Sequence, residues 1–450
     1  MHKFILYLLL FNSYVFSITI DYKTALKLTL ENNKQLQEQK LEIESSKLDV
    51  KKVQSFSYGK LELKHEASRT NHAGYVFNSK LSSREASFKD FGFSQMSQGL
   101  NTQPTDLNYP EDRNNFNTKM TYEIPLFTGF KLQTQEDMMK IAQKAQELKL
   151  TLDEKSLEFE LLNAYNGAVV AKEFIKATQK AKEVATLFVE SANAFYNEGL
   201  VTKIDKKQAQ VHELNIKSRL TEAKNRFDIA IAYLKFLTSN ENIDDVKDLE
   251  IIEIENKDLK NSINEAISNR DDLKILKEQE KSMKKNIELS NSSYYPSIYS
   301  YVEYGYNDNQ MNFDSNKDYY MGLLGVKYTL FDDTRSVEKQ KSQIALNKTV
   351  LGLNQLKDSI KLEVEKATLE LKAKKRAFKE KKEAKELANE VLEQSKLMYK
   401  NQLIAMTELL KQEAIFRENE ASFIMANYEL SLALAKINLA RGQSLKEDKN

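Results

Sequence analysis

Cysteine and tryptophan are absent from this chain of 450 residues, and proline occurs only four times. Without cysteine there is no disulfide framework, no thiolate metal site and no thiol nucleophile. Glycine is also scarce, at 12 residues, although 30% of the chain is charged. Gly and Pro are the strongest helix breakers, so their scarcity marks a helix-rich protein. An excess of either charge is missing too, with 67 Lys and Arg against 66 Asp and Glu. Nucleic acid is therefore excluded as a main partner, because phosphate binding normally requires a basic surplus. A mean hydropathy of −0.58 excludes a helical membrane protein. Nor is catalytic equipment visible. Beyond the leader, histidine is limited to His65, His72 and His212. No phosphate-binding glycine loop, nucleophile elbow or metal-ligand spacing accompanies them. His65 and His72 are read as facing water. The expectation is a protein that is not an enzyme and has no cofactor.

What is present begins with one apolar run. Lys3 precedes Phe4 to Phe11, and Val15 and Ser17 stand at the −3 and −1 positions of a cleavage site. The run is too short to span a bilayer, so residues 1–17 read as a signal peptide. The alternative is a short N-terminal anchor. No cysteine follows the site, so no lipid attachment is expected.

The prolines fall at 104, 110, 125 and 296, and between Phe130 and Tyr304 the only glycines are Gly167 and Gly199. Such a stretch permits very long helices: residues 131–197 as one helix would run about 100 Å. Leu157, Leu161, Leu162, Tyr165 and Ala168 recur at helical spacing and predict a buried face. A second helical stretch from about Ser336 keeps Leu351, Leu353, Leu356, Ile360, Leu362, Val364, Leu369 and Leu371. Its Lys and Glu runs read as solvated faces.

Two regions alternate with period two instead. Phe116, Thr118, Met120, Tyr122, Ile124 and Leu126 share one face, opposite Asn117, Lys119, Thr121 and Glu123. Leu61 and Leu63 alternate with Lys60, Glu62, Lys64 and Glu66. Tyrosine-rich segments near 295–306 and 319–331 fit the same pattern. Each has about the length of a tilted membrane strand.

The chain also repeats itself. Leu26, Leu30, Asn32 and Leu36 match Ile263, Ile267, Asn269 and Leu273 at an offset of 237. Later, Phe127 and Lys131 match Phe331 and Arg335 at 204, and Tyr196 matches Tyr399 at 203. The loss of 33, from 237 to 204, falls inside the hairpins, so the first hairpin carries the longer loop, over roughly 68–114. That loop reads as irregular and surface-facing. The expected layout is a first repeat over 18–240, with strands at about 57–68 and 114–127 and helices at about 131–197 and 202–239. A linker follows over 241–260. The second repeat, 261–445, has strands at about 294–306 and 318–331 and helices at about 335–400 and 404–441. Four strands cannot close a membrane barrel alone, so an oligomer is expected.

With these segments in place the chain resembles the TolC family of outer-membrane efflux ducts. YEIPLFTGFK, residues 122–131, is similar to that family's strand-to-helix turn, with Pro125, Phe127 and Gly129. KYTLFDDTR, residues 327–335, is its second copy, with Phe331 and with Asp333 where Gly is usual. AFYNEGLVTKIDKKQAQ, residues 194–210, and LMYKNQLIAMTELLKQEA, residues 397–414, are similar to the turns between the long helices.

The resemblance implies a mixed, mostly α fold. Long antiparallel helices form a periplasmic helical barrel, and four strands per chain contribute to a trimeric 12-strand barrel in outer-membrane lipid. It implies a passive duct in the outer membrane of a Gram-negative bacterium, fed by a periplasmic adaptor and an inner-membrane pump of the RND or ABC type. Drugs, toxic compounds or secreted protein would pass. Gly199, Leu200 and Val201, with Gln402, Leu403 and Ile404, are the implied adaptor-docking tips. Gly199 suits a left-handed turn; in the second turn Gln402 takes its place and Asn401 is the better left-handed candidate. Asp205, Tyr399, Glu408 and Lys411 are the implied gate positions. Ile404 stands where an Arg latch is usual and Lys411 where an acid is usual, so a different closing network is expected, with Glu408 and Lys411 free to pair. A periplasmic coiled-coil adaptor and a soluble scaffold are the alternatives.

Overall fold

The computed structural model describes residues 18–255, 257–313 and 315–446; the signal peptide read over 1–17 lies outside them. In chain order the elements are β1 (Ile18–Ile20), α1 (Tyr22–Asn32), α2 (Lys34–Ser55), β2 (Lys60–Thr70), α3 (Ala73–Ser82), α4 (Thr105–Asn108), β3 (Arg113–Phe127), α5 (Lys131–Asn197) and α6 (Lys203–Thr238). Then come β4 (Ile243–Val246), α7 (Leu259–Asn269), α8 (Asp271–Ser292), β5 (Ser297–Asp308), β6 (Asp318–Lys327), α9 (Thr334–Lys400) and α10 (Met406–Ala440).

The internal repeat is explicit in the helix caps. Asp21 accepts the Thr24 amide at 2.9 Å and starts α1; Asp258, 237 residues on, accepts the Asn261 amide at 3.0 Å and starts α7. Both helices have 11 residues, and the helix after each has 22. Asn33 and Arg270, extended in backbone, break each pair at the same place. α5 and α9 have 67 residues each.

The chain divides into two compact units. One holds the segment up to Ile43, Ala145–Lys277 and the segment from Leu351. Its core includes Leu157, Leu161, Leu162, Tyr165 and Ala168 from α5, all buried, against Ile20, Leu26 and Leu36. β1 and β4 pair in parallel beside that core. A second cluster joins Leu353, Ile360, Val364 and Leu371 of α9 to Leu434 and Ile437 of α10. Not all of the leucines grouped on α9 are buried: Leu351, Leu362 and Leu369 are exposed, at 69%, 66% and 63%. They occupy the opposite side of the helix, which no described residue of the protomer covers.

The other unit, Glu44–Lys144 with Glu278–Val350, contains one antiparallel sheet in the order β2-β3-β5-β6. Among the described residues, β2 and β6 each have one edge without a strand. Register fixes two faces. Leu63, Met120, Tyr304 and Tyr320 lie in one row, and Lys64, Lys119, Gly305 and Tyr319 in the next, on the opposite face. The alternation thus gives an apolar and a polar face. His65 falls on the apolar face, where it is exposed as expected and its Nδ1 lies 2.7 Å from Thr118 Oγ1. On the polar face tyrosine rings lie over glycines of the neighbouring strand. A Cβ on Gly325 would meet the Tyr299 ring at 2.4 Å, and one on Gly305 the Tyr319 ring at 2.9 Å.

The strands differ from the expected bounds at their ends. β6 stops at Lys327, because β5 begins at its partner Ser297 and nothing remains to pair Tyr328 to Phe331. The first hairpin's loop is not irregular throughout. It holds α3, α4 and tight turns over Phe88–Phe91 and Phe93–Gln98, with Val76, Ser79 and Ser83 buried.

Candidate functional site

Two groups of sequence-marked residues lie at helix ends. In the strand-to-helix turn, Pro125 stands at a register shift between β3 and β5, the irregular kind of position a residue without an N–H favours in a sheet. Gly129 has φ +63°, and a Cβ there would meet the Ser292 carbonyl at 2.7 Å. Phe127 packs edge-on to Phe130 at 5.2 Å, and Phe130 to Tyr295 at 5.3 Å. In the second copy Asp333 does not replace Gly129 as a left-handed residue. Asp332 instead accepts the Thr334 amide and hydroxyl at 3.0 and 2.7 Å and starts α9, while Phe331 remains exposed.

The turns between the long helices are built alike and capped unequally. Gly199 has φ +72°; its amide donates to Tyr196 O at 3.0 Å and the Leu200 amide to Phe195 O at 2.8 Å. In the second turn the Gln402 amide donates to Tyr399 O at 2.9 Å and the Leu403 amide to Met398 O at 2.8 Å. Gln402, at φ +62°, is therefore the left-handed residue, not Asn401. The same hydrogen-bond register requires it, whatever the side chain. Thr202 and Asp205 form a capping box at the start of α6: the Asp205 amide donates to Thr202 Oγ1 at 3.3 Å, and the Thr202 amide to Asp205 Oδ2 at 2.9 Å. α10 starts at Ala405, which has no side-chain cap.

Asp205, Glu408 and Lys411 make contacts within the first turns of their own helices. Asp205 caps its own helix. Glu408, its counterpart on α10, accepts from Gln412 at 2.7 Å, with Lys411 at 3.6 Å. Tyr399 is 5% exposed, its ring 5.7 Å from Phe195, and its hydroxyl has no hydrogen-bond partner. Burial, and next the charge of Asp205, push that hydroxyl's pKa up. Of the tip residues, Leu200 and Leu403 are exposed, whereas Ile404 packs against the cluster of Phe188, Leu392, Tyr399 and Met406.

The ionic contact between the hairpins lies further along the helices, on residues the sequence did not mark. Glu413 of α10 is 1% exposed. His212 Nε2 of α6 approaches its carboxylate to 3.2 Å, an ion-pair distance without hydrogen-bond alignment. Arg417 Nε donates to Glu413 at 2.7 Å, and its Nη1 reaches Glu420 at 2.7 Å and the Ala177 carbonyl of α5 at 3.4 Å. Burial raises the Glu413 pKa, but the close approach of His212 and the bond from Arg417 outweigh it and hold the carboxyl below its usual range. The only sequence signal was a Glu-Arg pair four apart on one helix; its partners are distant in the chain. Among the described residues no cluster of His, Asp and Glu has metal-site geometry, and no helix is long and apolar enough to cross a membrane.

Two repeats of paired long helices, with a sheet apolar on one face and polar on the other, define a subunit of a membrane duct. A profile of outer membrane efflux proteins matches residues 25–240 and 262–443, and the chain belongs to that family. It is an efflux duct of the outer membrane, and the family consists of channels rather than enzymes. Similar solved structures include the outer membrane protein VceC of Vibrio cholerae, at 14% identity and a TM-score of 0.74, covering 94% of this chain and 97% of that one. The CmeC outer membrane channel of Campylobacter jejuni is 14% identical, with a TM-score of 0.76 and coverage of 95% and 87%. The open state of the MtrE outer membrane channel of Neisseria gonorrhoeae is 15% identical, with a TM-score of 0.76 and coverage of 95% and 90%. At these identities the likeness establishes the fold. No curated protein matches the chain.

Proposed function

We propose that three copies of this chain close one 12-strand barrel and act as a passive duct, with energy and cargo selection supplied by an inner-membrane pump and a periplasmic adaptor. The observation that carries this reading is the four-stranded sheet with two unpaired edges. Open edges do not survive in lipid, so β2 of one copy pairs with β6 of the next. The apolar face then meets lipid and the polar face lines the duct. Leu351, Leu362 and Leu369 on the uncovered side of α9 suit contact with a neighbouring copy.

The helix ends form the closing and docking region. Leu200 and Leu403, at 51% and 67% exposed, with Val201 beside them, are the apolar adaptor contacts. Closure depends on the two hairpins of each protomer staying together. With Ile404 in place of an Arg, Asp205 in a cap and Tyr399 without a polar partner, the contact that holds them is His212–Glu413–Arg417. Glu408, repeated three times around the axis, supplies an acidic ring that attracts cations. Single-channel recording tests both parts. Glu413→Gln should raise open probability, and Glu408→Ala should weaken cation selectivity and block by cobalt. An unchanged open probability rejects the latch; unchanged selectivity and block reject the ring.

A further inference from the structure

The long loop of the first hairpin is fixed to the polar face of the sheet, and its path crosses that face from edge to edge. It leaves β2 at Thr70 and returns to β3 at Arg113. Between them it reaches β6, where Arg84 donates to the carbonyls of Asn316 and Asp318 at 2.9 and 2.7 Å. Arg84 adopts φ +57° to do so, a conformation unfavourable for a residue with a Cβ. α3 packs against the end of β5. Arg113, on the polar side of β3, donates to Ser79 Oγ at 2.9 Å and Ser83 Oγ at 2.8 Å. Glu85 accepts from both Arg113 and Lys317, and Lys317 also binds Asp308 at 2.6 Å. Beneath the loop end of the sheet, Asn115, Asn117 and Asn307 have side-chain oxygens without solvent exposure or partners. They belong to the polar face and are closed off from water.

The free surface of the loop carries an apolar patch. Phe88 is 77% exposed, and Phe93, Met96 and Leu100 are exposed beside it. On the polar side of a membrane sheet such a surface is not presented to lipid. In a ring of copies it meets the same loops of the neighbouring copies.

Resting on the reading of the polar face as the duct wall, we propose that residues 71–112 form a lid over the outer mouth, clamped by Arg84, Glu85, Arg113 and Lys317, with Phe88, Phe93, Met96 and Leu100 meeting their counterparts in neighbouring copies. The duct would then have two closures: one at the helix ends and one at the loop end of the sheet. The second would be set by this loop's own ion pairs.

The absence of native cysteine makes the test specific. Full-length protein is reconstituted in planar bilayers as the wild type and as Glu413→Gln. The more conductive of the two is used as background, so that the helix ends limit the current least. Arg84→Ala with Glu85→Ala, which releases the clamp, should raise conductance roughly twofold, as expected when a constriction in series is removed. Phe88→Cys, at an exposed position, should conduct as the background does until a bulky polyethylene glycol maleimide is added on the loop side, and should then lose most of its current. An unchanged conductance in the release variant, or a label without effect on current, would overturn the lid while leaving the duct intact. No current from either background would overturn the duct reading, and the lid with it.

Discussion

The two turns between the long helices share one backbone plan, so their unequal stability can be worked out and reversed. In the second turn Gln402 occupies the left-handed position at φ +62°, and Ala405 starts α10 without a side-chain cap. A left-handed residue with a Cβ costs about 1–2 kcal/mol. Replacement by glycine recovers this, less about 0.4–1 kcal/mol for the extra freedom of the unfolded chain. Threonine at 405 would stand three residues before Glu408 and rebuild the capping box that Thr202 makes with Asp205, worth about 1 kcal/mol. The double variant Gln402→Gly/Ala405→Thr should therefore stabilise the turn by about 1.5 kcal/mol, which is roughly tenfold in a local opening equilibrium. A global melting temperature would dilute so local an effect. Hydrogen exchange read by mass spectrometry on peptides covering 398–410 resolves it, and protection there should rise about tenfold. Thr202→Ala in the first turn should lower protection of its own peptide about fivefold and leave the second turn alone, since it removes about 1 kcal/mol of capping. Exchange rates at 398–410 that match the wild type in the double variant would refute the reasoning.

Other changes have expected outcomes of the same kind. Glu413→Ala leaves the Arg417 guanidinium without its buried carboxylate and should loosen the contact between α6 and α10 by about 3–5 kcal/mol, read as faster proteolysis of the helix ends. Because the folded carboxyl lies below its usual value, its stabilisation is complete above the ordinary carboxylate range and is lost as pH falls through the folded value; protection of α10 should weaken over that acid window and not above it. Gly325→Val would push the Tyr299 ring aside at a cost of about 1–3 kcal/mol, whereas Gly322→Val, with nothing within 4 Å of its Cβ, should fold like the wild type; thermal denaturation of the purified protein separates them. Asn166, fully buried, donates to Glu250 O at 2.8 Å and accepts the Glu250 amide at 2.9 Å. Asn166→Ala should free the segment around Glu250 for limited proteolysis, at a cost of about 1–3 kcal/mol per unpaired group.

Local rules made much of this fold legible. The capped 11- and 22-residue helices, the uninterrupted long helices and the alternating strands each follow from spacing within a few turns. The face of α5 from Leu157 to Ala168 was readable for the same reason. α9 was not, because apolar residues lie on two of its sides: Leu353, Ile360 and Val364 meet the protomer's own core, while Leu351, Leu362 and Leu369 do not. A hydrophobic pattern does not say whether its partner is in the same chain. The contact between His212 and Glu413 joins residues 201 apart in sequence, 413 less 212, and no local period links them. Asn, Ser and Gln dominate the loop and predict irregular structure. Its order comes from pairs such as Arg84 with Asn316 and Asp318, which a scan along the chain does not connect. Side-chain preference points to Asn401 as the left-handed residue, whereas the hydrogen-bond register of the turn places Gln402 there.

The duct requires copies of this chain to complete one another's sheet. Native mass spectrometry of full-length protein extracted from outer membranes in mild detergent tests this most directly. The expected result is a single species of three chains. A monomer or dimer as the stable species, with four-stranded sheets left open in lipid, would contradict it.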